Sequence, residues 1–236
     1  VGSRGLGDVY KRQTFNRMTY ESAIEKYGTD KPDLRYELLI QNISDEVKGK
    51  NFQIFDNNEI SVCLKVEGKS DLSRKEIDEI TDWVKRPQIG ASGLLWIKHN
   101  NDASFKSSFD KFFSDSDLRV ISEKISSKPG DIIFIMSGEY KKTLEQLGSL
   151  RVELASMFNL IDKEKICPLW VTDFPLFEWD EEEKRFFSMH HPFTSPKPEF
   201  IDILDKDPGK VLANAYDLVL NGNEIGGGSI LSLIHI

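Results

Sequence analysis

Asn221-Gly222 constrains this chain more than any other pair of residues. It stands between Tyr216-Asp217-Leu218-Val219-Leu220 and Asn223-Glu224-Ile225. A two-residue hairpin loop of type I′ needs positive φ at both central positions, which Asn and Gly adopt readily. The spacing therefore predicts an antiparallel hairpin over 213–230. Its second strand runs from Glu224 into Gly226-Gly227-Gly228. Three glycines in a strand pack nothing, so they mark a bend or a place where a ligand or another backbone comes close. A phosphate loop is the wrong reading, because no Gly-Lys-Ser/Thr follows and no helix starts here to offer its N-terminus. Two readings stay open for Glu224. Either it holds a Mg²⁺ that bridges the phosphates of a flat ligand lying on the sheet, or it faces solvent beside a glycine bulge.

The stretch from Trp170 to Thr194, WVTDFPLFEWDEEEKRFFSMHHPFT, reads as two apolar strands joined by the acidic turn Asp180 to Glu183. At its far end stands His190-His191, followed by Pro192, which favours extended backbone before it. Successive strand residues point to opposite faces, so only one of the two imidazoles serves a given site, which argues against a two-histidine metal clamp. A single imidazole at a strand end can donate to a carboxylate or phosphate near neutral pH. The plainer alternative is a histidine satisfied at a sheet edge.

With 236 residues, length allows one or two domains, and 39% hydrophobic with 30% charged residues is an ordinary soluble composition. No apolar run is long enough to span a bilayer, and no signal-peptide core is expected. Cys63 and Cys167 are isolated, which points to neither zinc nor a disulfide framework and fits a reducing cytoplasm. A net charge of -8 leaves no basic footprint for nucleic acid as a whole, so an RNA partner must meet local patches or parts outside this chain.

Thr19 is placed to cap a helix from Tyr20 to Tyr27 that ends at Gly28. The charged turn Thr29 to Arg35 is assigned no chemistry. From about Gln41 to Phe158 the pattern is complete in itself. Ile60, Val62, Leu64 and Val66 alternate with Ser61, Cys63, Lys65 and Glu67, a strand buried on one face, with Asp56-Asn57-Asn58 turning back to a strand at Phe52–Ile54. Ser73 and Glu76 form a capping box for a helix carrying Ile77, Ile80 and Val84 that stops at Pro87. Strands are expected at 93–98 and 132–135, and a last helix carries Leu144, Leu147, Leu154 and Phe158. Phe105, Phe109, Phe112 and Phe113 make an amphipathic stripe read as core, and His99 stands alone. Residues 195–210 form a connector with one short helix around Phe200 to Leu204.

DFPLFEWD, SMHHPFTSPK, NAYDLVLNG and EIGGGSI, together with RMTYESAIEKYGTDKPDLR near the start, resemble the catalytic domain of bacterial aspartyl-tRNA synthetases from about Thr14 to Ile230. The resemblance implies an α+β fold: part of a class II synthetase antiparallel sheet (14–40 and 159–230) with an inserted α+β GAD-type domain at 41–158. It implies that His190, with His191 its neighbour, contacts substrate aspartate. It implies that Glu224 binds ATP and its Mg²⁺ as metal ligand, with Gly226, Gly227 and Gly228 as close-approach backbone. Aspartate, ATP and tRNA are the implied partners, the full-length enzyme is expected to be a cytoplasmic homodimer without membrane attachment, and no catalytic residue is identified.

Two departures stand out. The family continues its triple-glycine strand with Ser, an aliphatic residue and an arginine that grips the aspartate side chain, whereas Leu231 follows Ser229-Ile230 here. Residues 1–13 and 231–236 resemble translated sequencing adapter and are expected to be non-native. The family's anticodon-binding barrel and its three class II motifs find no counterpart. A charge-assisted hydrogen bond from His190 is worth about 1.5–3 kcal/mol, while loss of the arginine costs about 2–5 kcal/mol. The expectation is therefore a fragment of an aminoacyl-tRNA ligase that binds aspartate weakly and does not charge tRNA alone. The alternative is a short non-catalytic paralogue that binds tRNA or protein through the insertion domain.

Overall fold

The computed structural model describes residues 15–232. The expected tail at 1–13, and 233–236 of the other, lie outside the described residues. Two compact units emerge: among the described residues one comprises 15–23, 31–35 and 164–232, the other 24–30 and 36–163. The strands are β1 (Asn16–Thr19), β2 (Ile40–Asn42), β3 (Ile60–Val66), β4 (Leu95–His99), β5 (Phe105–Ser107), β6 (Ile132–Gly138), β7 (Pro168–Thr172), β8 (Phe177–Asp180), β9 (Arg185–Ser188), β10 (Ala215–Leu220) and β11 (Asn223–Ser229). The longer helices are α1 (Tyr20–Tyr27), α2 (Arg74–Val84), α3 (Asp115–Lys124) and α4 (Tyr140–Met157). The Ser22 N–H donates to Thr19 Oγ1 at 3.1 Å at the start of α1, and Gly28 follows its end at φ 68°, so both expected caps form.

In the first unit a four-stranded sheet has the order β1-β7-β10-β11. β10 is antiparallel to both neighbours, while β1 runs parallel to β7. A parallel pair needs a long crossover, and everything between Thr19 and Pro168 supplies it. Asn221 at φ 51° and Gly222 at φ 84° give the loop its two positive torsions, as the Asn-Gly pair requires. Leu169, Val171, Phe174, Val211, Ala213 and Val219 form the core of this unit.

The stretch 170–194 divides differently from the expectation. Trp170 to Thr172 belongs to β7 in the main sheet, and the hairpin is a separate two-stranded ribbon, β8–β9, with its acidic turn exposed. The reason is burial: Leu169 and Val171 alternate into the core, and Asp173 at φ 62° then breaks the strand before Phe174.

The second unit holds a fully antiparallel sheet ordered β2-β3-β6-β4-β5. Cys63, Ile97, Ile133 and Ile135 share one core cluster with Leu118 and Ile121 of α3. Val62, Leu64 and Phe134, pointing the other way by alternation, are buried too, and α4 packs on β3 and β6. β3 is thus covered on both faces, not one. Residues 53–56 are a single helical turn rather than a strand, because Phe52 and Phe55 both turn toward Phe109, at 5.8 and 5.4 Å between ring centroids. Phe109 and Phe113 are core, as read from the stripe, while Phe112 is exposed. The Ser73–Glu76 capping box forms as expected.

Arg151 of α4 is 1% exposed. Its guanidinium donates to the carbonyls of Leu38 (2.5 Å) and Tyr36 (3.1 Å) and to the Tyr36 hydroxyl (2.8 Å). The Tyr36 and Tyr27 rings lie 4.0 and 4.9 Å from it, so a buried cation finds three oxygens and two π faces.

Candidate functional site

The β10–β11 register decides where the carboxylates go. Leu218 pairs with Gly226 and Val219 with Glu224, so Ile225 is the extra residue of a bulge and is 57% exposed. The bulge re-aims Glu224, and Asp217 stands directly opposite Gly227. A Cβ added to Gly227 would meet Asp217 Oδ1 at 2.3 Å and Glu224 Oε1 at 3.3 Å. Both carboxylates therefore occupy the space over one glycine, and only the missing side chain lets them approach. At Gly228 the missing Cβ makes room for the Tyr216 hydroxyl, 2.8 Å away, whereas Gly226 opens onto empty space. Close approach at these glycines is thus intramolecular at Gly227 and Gly228 and open to a ligand at Gly226.

The Glu224 Oε2 pairs with Lys31 Nζ at 2.9 Å. Lys31 comes from the charged turn 29–35, to which no chemistry was assigned. Asp33 of the same turn sits against the hairpin loop, 3.2 Å from where a Gly222 Cβ would stand, and is itself held by Arg35 at 2.6 Å. Sequence reading missed Asp217 and Lys31. Asp217 was traceable through strand alternation once the bulge was known; nothing local to Lys31 announces its partner, 193 positions away by number.

His190 lies past the end of β9 in a bend and His191 directly follows it, neither on the strand. Their surroundings differ. The exposed His190 ring stands edge-on to buried Phe174, with centroids 4.7 Å apart. His191 is turned into a local loop: its Nδ1 accepts from the Phe193 N–H at 3.1 Å, and its own N–H donates to Thr194 Oγ1 at 3.3 Å. Thr194 in turn bonds Ser229 Oγ at 3.4 Å, and the Ser195 N–H donates to the Ile230 carbonyl at 2.8 Å. The histidine loop is thereby tied to the end of the glycine strand. Beside it opens a cavity of about 220 Å³ lined by Leu176, Phe177, Ser188, Pro192 and Thr194. Next to Phe174, Asp173 pairs with Lys197, and this bond holds the Asp173 carboxyl below the usual carboxylate range.

Two carboxylates and one open glycine face suit a hard cation that keeps most of its ligands from elsewhere. Among the described residues no cluster of three or more His, Cys, Asp or Glu could enclose a metal by itself.

A family model described as tRNA synthetases class II (D, K and N) matches residues 5–232. An aspartate–tRNA ligase of Flavobacterium psychrophilum is 50% identical over 218 residues, which are 92% of this chain and 37% of that protein. One of Porphyromonas gingivalis is 49% identical over 228 residues, 96% and 39% of the two chains. One of Parabacteroides distasonis is 48% identical over 220 residues, 93% and 38%. The chain spans well under half the length of the curated relatives it matches.

Proposed function

The chain belongs to the class II tRNA synthetases of the D, K and N group, and on that premise we propose that the whole protein is an aspartate–tRNA ligase. The aspartate α-carboxylate attacks the α-phosphate of ATP, forming an acyl-phosphate O–P bond as pyrophosphate leaves. A hydroxyl at the tRNA 3′ end then attacks the acyl carbon, and AMP departs. The observation that carries the reading for these residues is the pair of carboxylates over Gly227.

Without a cation, two carboxylates beside polyphosphate repel it. Asp217 and Glu224 would hold a Mg²⁺, which would supply the positive charge that neutralises the phosphates of ATP. The face over Gly226, free of any neighbouring atom within 4 Å, leaves room for a flat ligand on the strand. Lys31, 2.9 Å from Glu224, helps to position that carboxylate. His190, propped on Phe174, presents an exposed imidazole that suits an aspartate carboxylate. In this reading the second unit is the GAD-type insertion, the enzyme works in the cytoplasm as a homodimer, and no described helix is long and apolar enough to cross a membrane.

The test is Mg²⁺-ATP binding and aspartate-dependent pyrophosphate exchange in the whole protein. Glu224→Gln removes the charge and keeps the shape, and is expected to weaken Mg²⁺-ATP by about 2–5 kcal/mol, roughly 30-fold or more. His190→Ala is expected to raise the KM for aspartate and leave that for ATP within about twofold. Unchanged nucleotide affinity in Glu224→Gln would remove the carboxylate pair from the site.

A further inference from the structure

The second unit carries a groove of about 390 Å³ that the proposed ligase chemistry does not use. Trp96, Lys98, Lys106 and Ser108 line it from β4–β5, and Arg74 and Asp78 from the first turns of α2. We propose that this groove binds RNA, its three cations taking backbone phosphates and Trp96 taking the face of a base.

Register supplies the first observation. Lys98 and Lys106 stand directly opposite each other across β4–β5, and like charges so placed destabilise a sheet. Among the described residues no carboxylate pairs with either lysine within 4.0 Å. Lys98 Nζ instead donates to the neutral Leu72 carbonyl, and burial together with Lys106 pushes its ammonium below the usual lysine range. Asp71 and Glu76 act on it in the opposite sense, and less strongly. An anion laid across both lysines would relieve the repulsion. Arg74, 94% exposed, holds Asp78 only loosely at 3.8 Å. The groove thus gathers three cations and one carboxylate in a chain whose net charge is -8.

The choice among anions rests on the aromatic. The half-buried Trp96 ring forms part of the lining, with Lys98 Nζ 6.0 Å from its centroid. Cations that track a backbone beside an aromatic platform are what an unpaired nucleic-acid strand requires, because every base has a π face. An acidic peptide offers charge but nothing for the ring. The choice of RNA over DNA rests on the proposed ligase function; the choice of a nucleic acid does not.

The experiment measures anisotropy of a short, unstructured, fluorescein-labelled RNA with the full 236-residue chain across a salt series. Arg74→Glu with Lys106→Glu is expected to weaken binding about tenfold or more. The slope of log K against log salt should shrink by about 1.4, at about 0.7 per phosphate contact on a single strand. Trp96→Leu is expected to weaken binding roughly fivefold or more through lost stacking, with Trp96→Phe retaining most of the affinity. Lys75→Glu makes the same charge change one residue from Arg74, at an 85% exposed side chain that pairs with Glu79 outside the groove, and is expected to change affinity less than about twofold. The proposal is overturned if the double variant binds like the parent, if Lys75→Glu is equally damaging, or if polyglutamate competes as well as unlabelled RNA. Mg²⁺-ATP binding, measured in parallel, is expected to be unmoved by Arg74→Glu with Lys106→Glu, so failure of the groove and failure of the Glu224 site are read separately.

Discussion

Gly226 and Gly227 are adjacent, lie in one strand, and neither has a positive φ, so alanine fits the backbone at both. They differ only in what a Cβ would meet. At Gly226 it meets nothing within 4 Å, whereas at Gly227 it stands 2.3 Å from Asp217 Oδ1. Real Cβ contacts essentially never fall below 3.0 Å, so the 8% exposed Asp217 carboxylate must move. Displacing a carboxylate buried to that degree costs about 1.5–3 kcal/mol, the scale of one hydrogen bond to a charged group. Replacing a strand glycine by alanine returns about 0.5–1 kcal/mol of backbone entropy. Gly227→Ala should therefore destabilise the first unit by about 1–2 kcal/mol, and Gly226→Ala should stabilise it by about 0.5–1 kcal/mol. At about 4–8 °C per kcal/mol for a unit of this size, a difference of about 1.5–3 kcal/mol should separate the two melting midpoints by roughly 6–24 °C. Intrinsic fluorescence reports the transition, because Trp170 packs against Tyr216 of the neighbouring strand at 5.6 Å. If Gly227→Ala melts at or above Gly226→Ala, the account of Gly227 as the space that seats two carboxylates is wrong. In a nucleotide-binding assay the order should invert in part: Gly226→Ala, harmless to the fold, should still weaken Mg²⁺-ATP, because its methyl group enters the face left open to the ligand.

Three further outcomes are expected. Burial holds the His99 imidazole below its usual value, so the unfolded chain binds its proton more readily; the second unit should lose stability as pH falls below about 6.5, and His99→Gln should flatten that loss in urea titrations at pH 7.5 and 5.5. Arg151→Lys cannot serve three oxygens in a plane, and should destabilise the second unit by about 2–4 kcal/mol in the same assay; a smaller change than about 1 kcal/mol would show that water completes the site. The Asn221 side chain accepts from the Cys167 N–H at 2.9 Å and donates to the Lys165 carbonyl at 3.2 Å; Asn221→Gly should keep the turn yet cost about 0.5–1.5 kcal/mol by denaturation, and no cost at all would reduce those contacts to surface decoration.

The β8–β9 ribbon and the β10–β11 hairpin show why some of this structure was readable and some was not. Turn chemistry is local: Asn221-Gly222 needs no partner to demand positive φ, and the acidic residues after Asp180 need only solvent. Caps are local too, so Thr19, Ser73 and Glu76 fall where their spacing put them. Phe52–Ile54 failed as a strand because Phe52 and Phe55, three residues apart, are satisfied by Phe109 and Phe113, far along the chain. The one-sided burial expected of β3 failed because alternation reports a solvent face only when nothing covers it, and both faces here are covered.

For the candidate site, Glu224, the glycines and His190 could be singled out from the sequence, but spacing left a plain structural reading open for each and only the family resemblance pointed to a role. Tertiary structure alone decided that a single bulge at Ile225 would bring Glu224 to the same glycine as Asp217, that Lys31 would lie 2.9 Å from Glu224, and that Thr194 would join the histidine loop to the glycine strand. A strand's register depends on the summed burial and hydrogen bonding of all its neighbours, and a slip of one residue sends every side chain to the opposite face. No short stretch of sequence contains that sum.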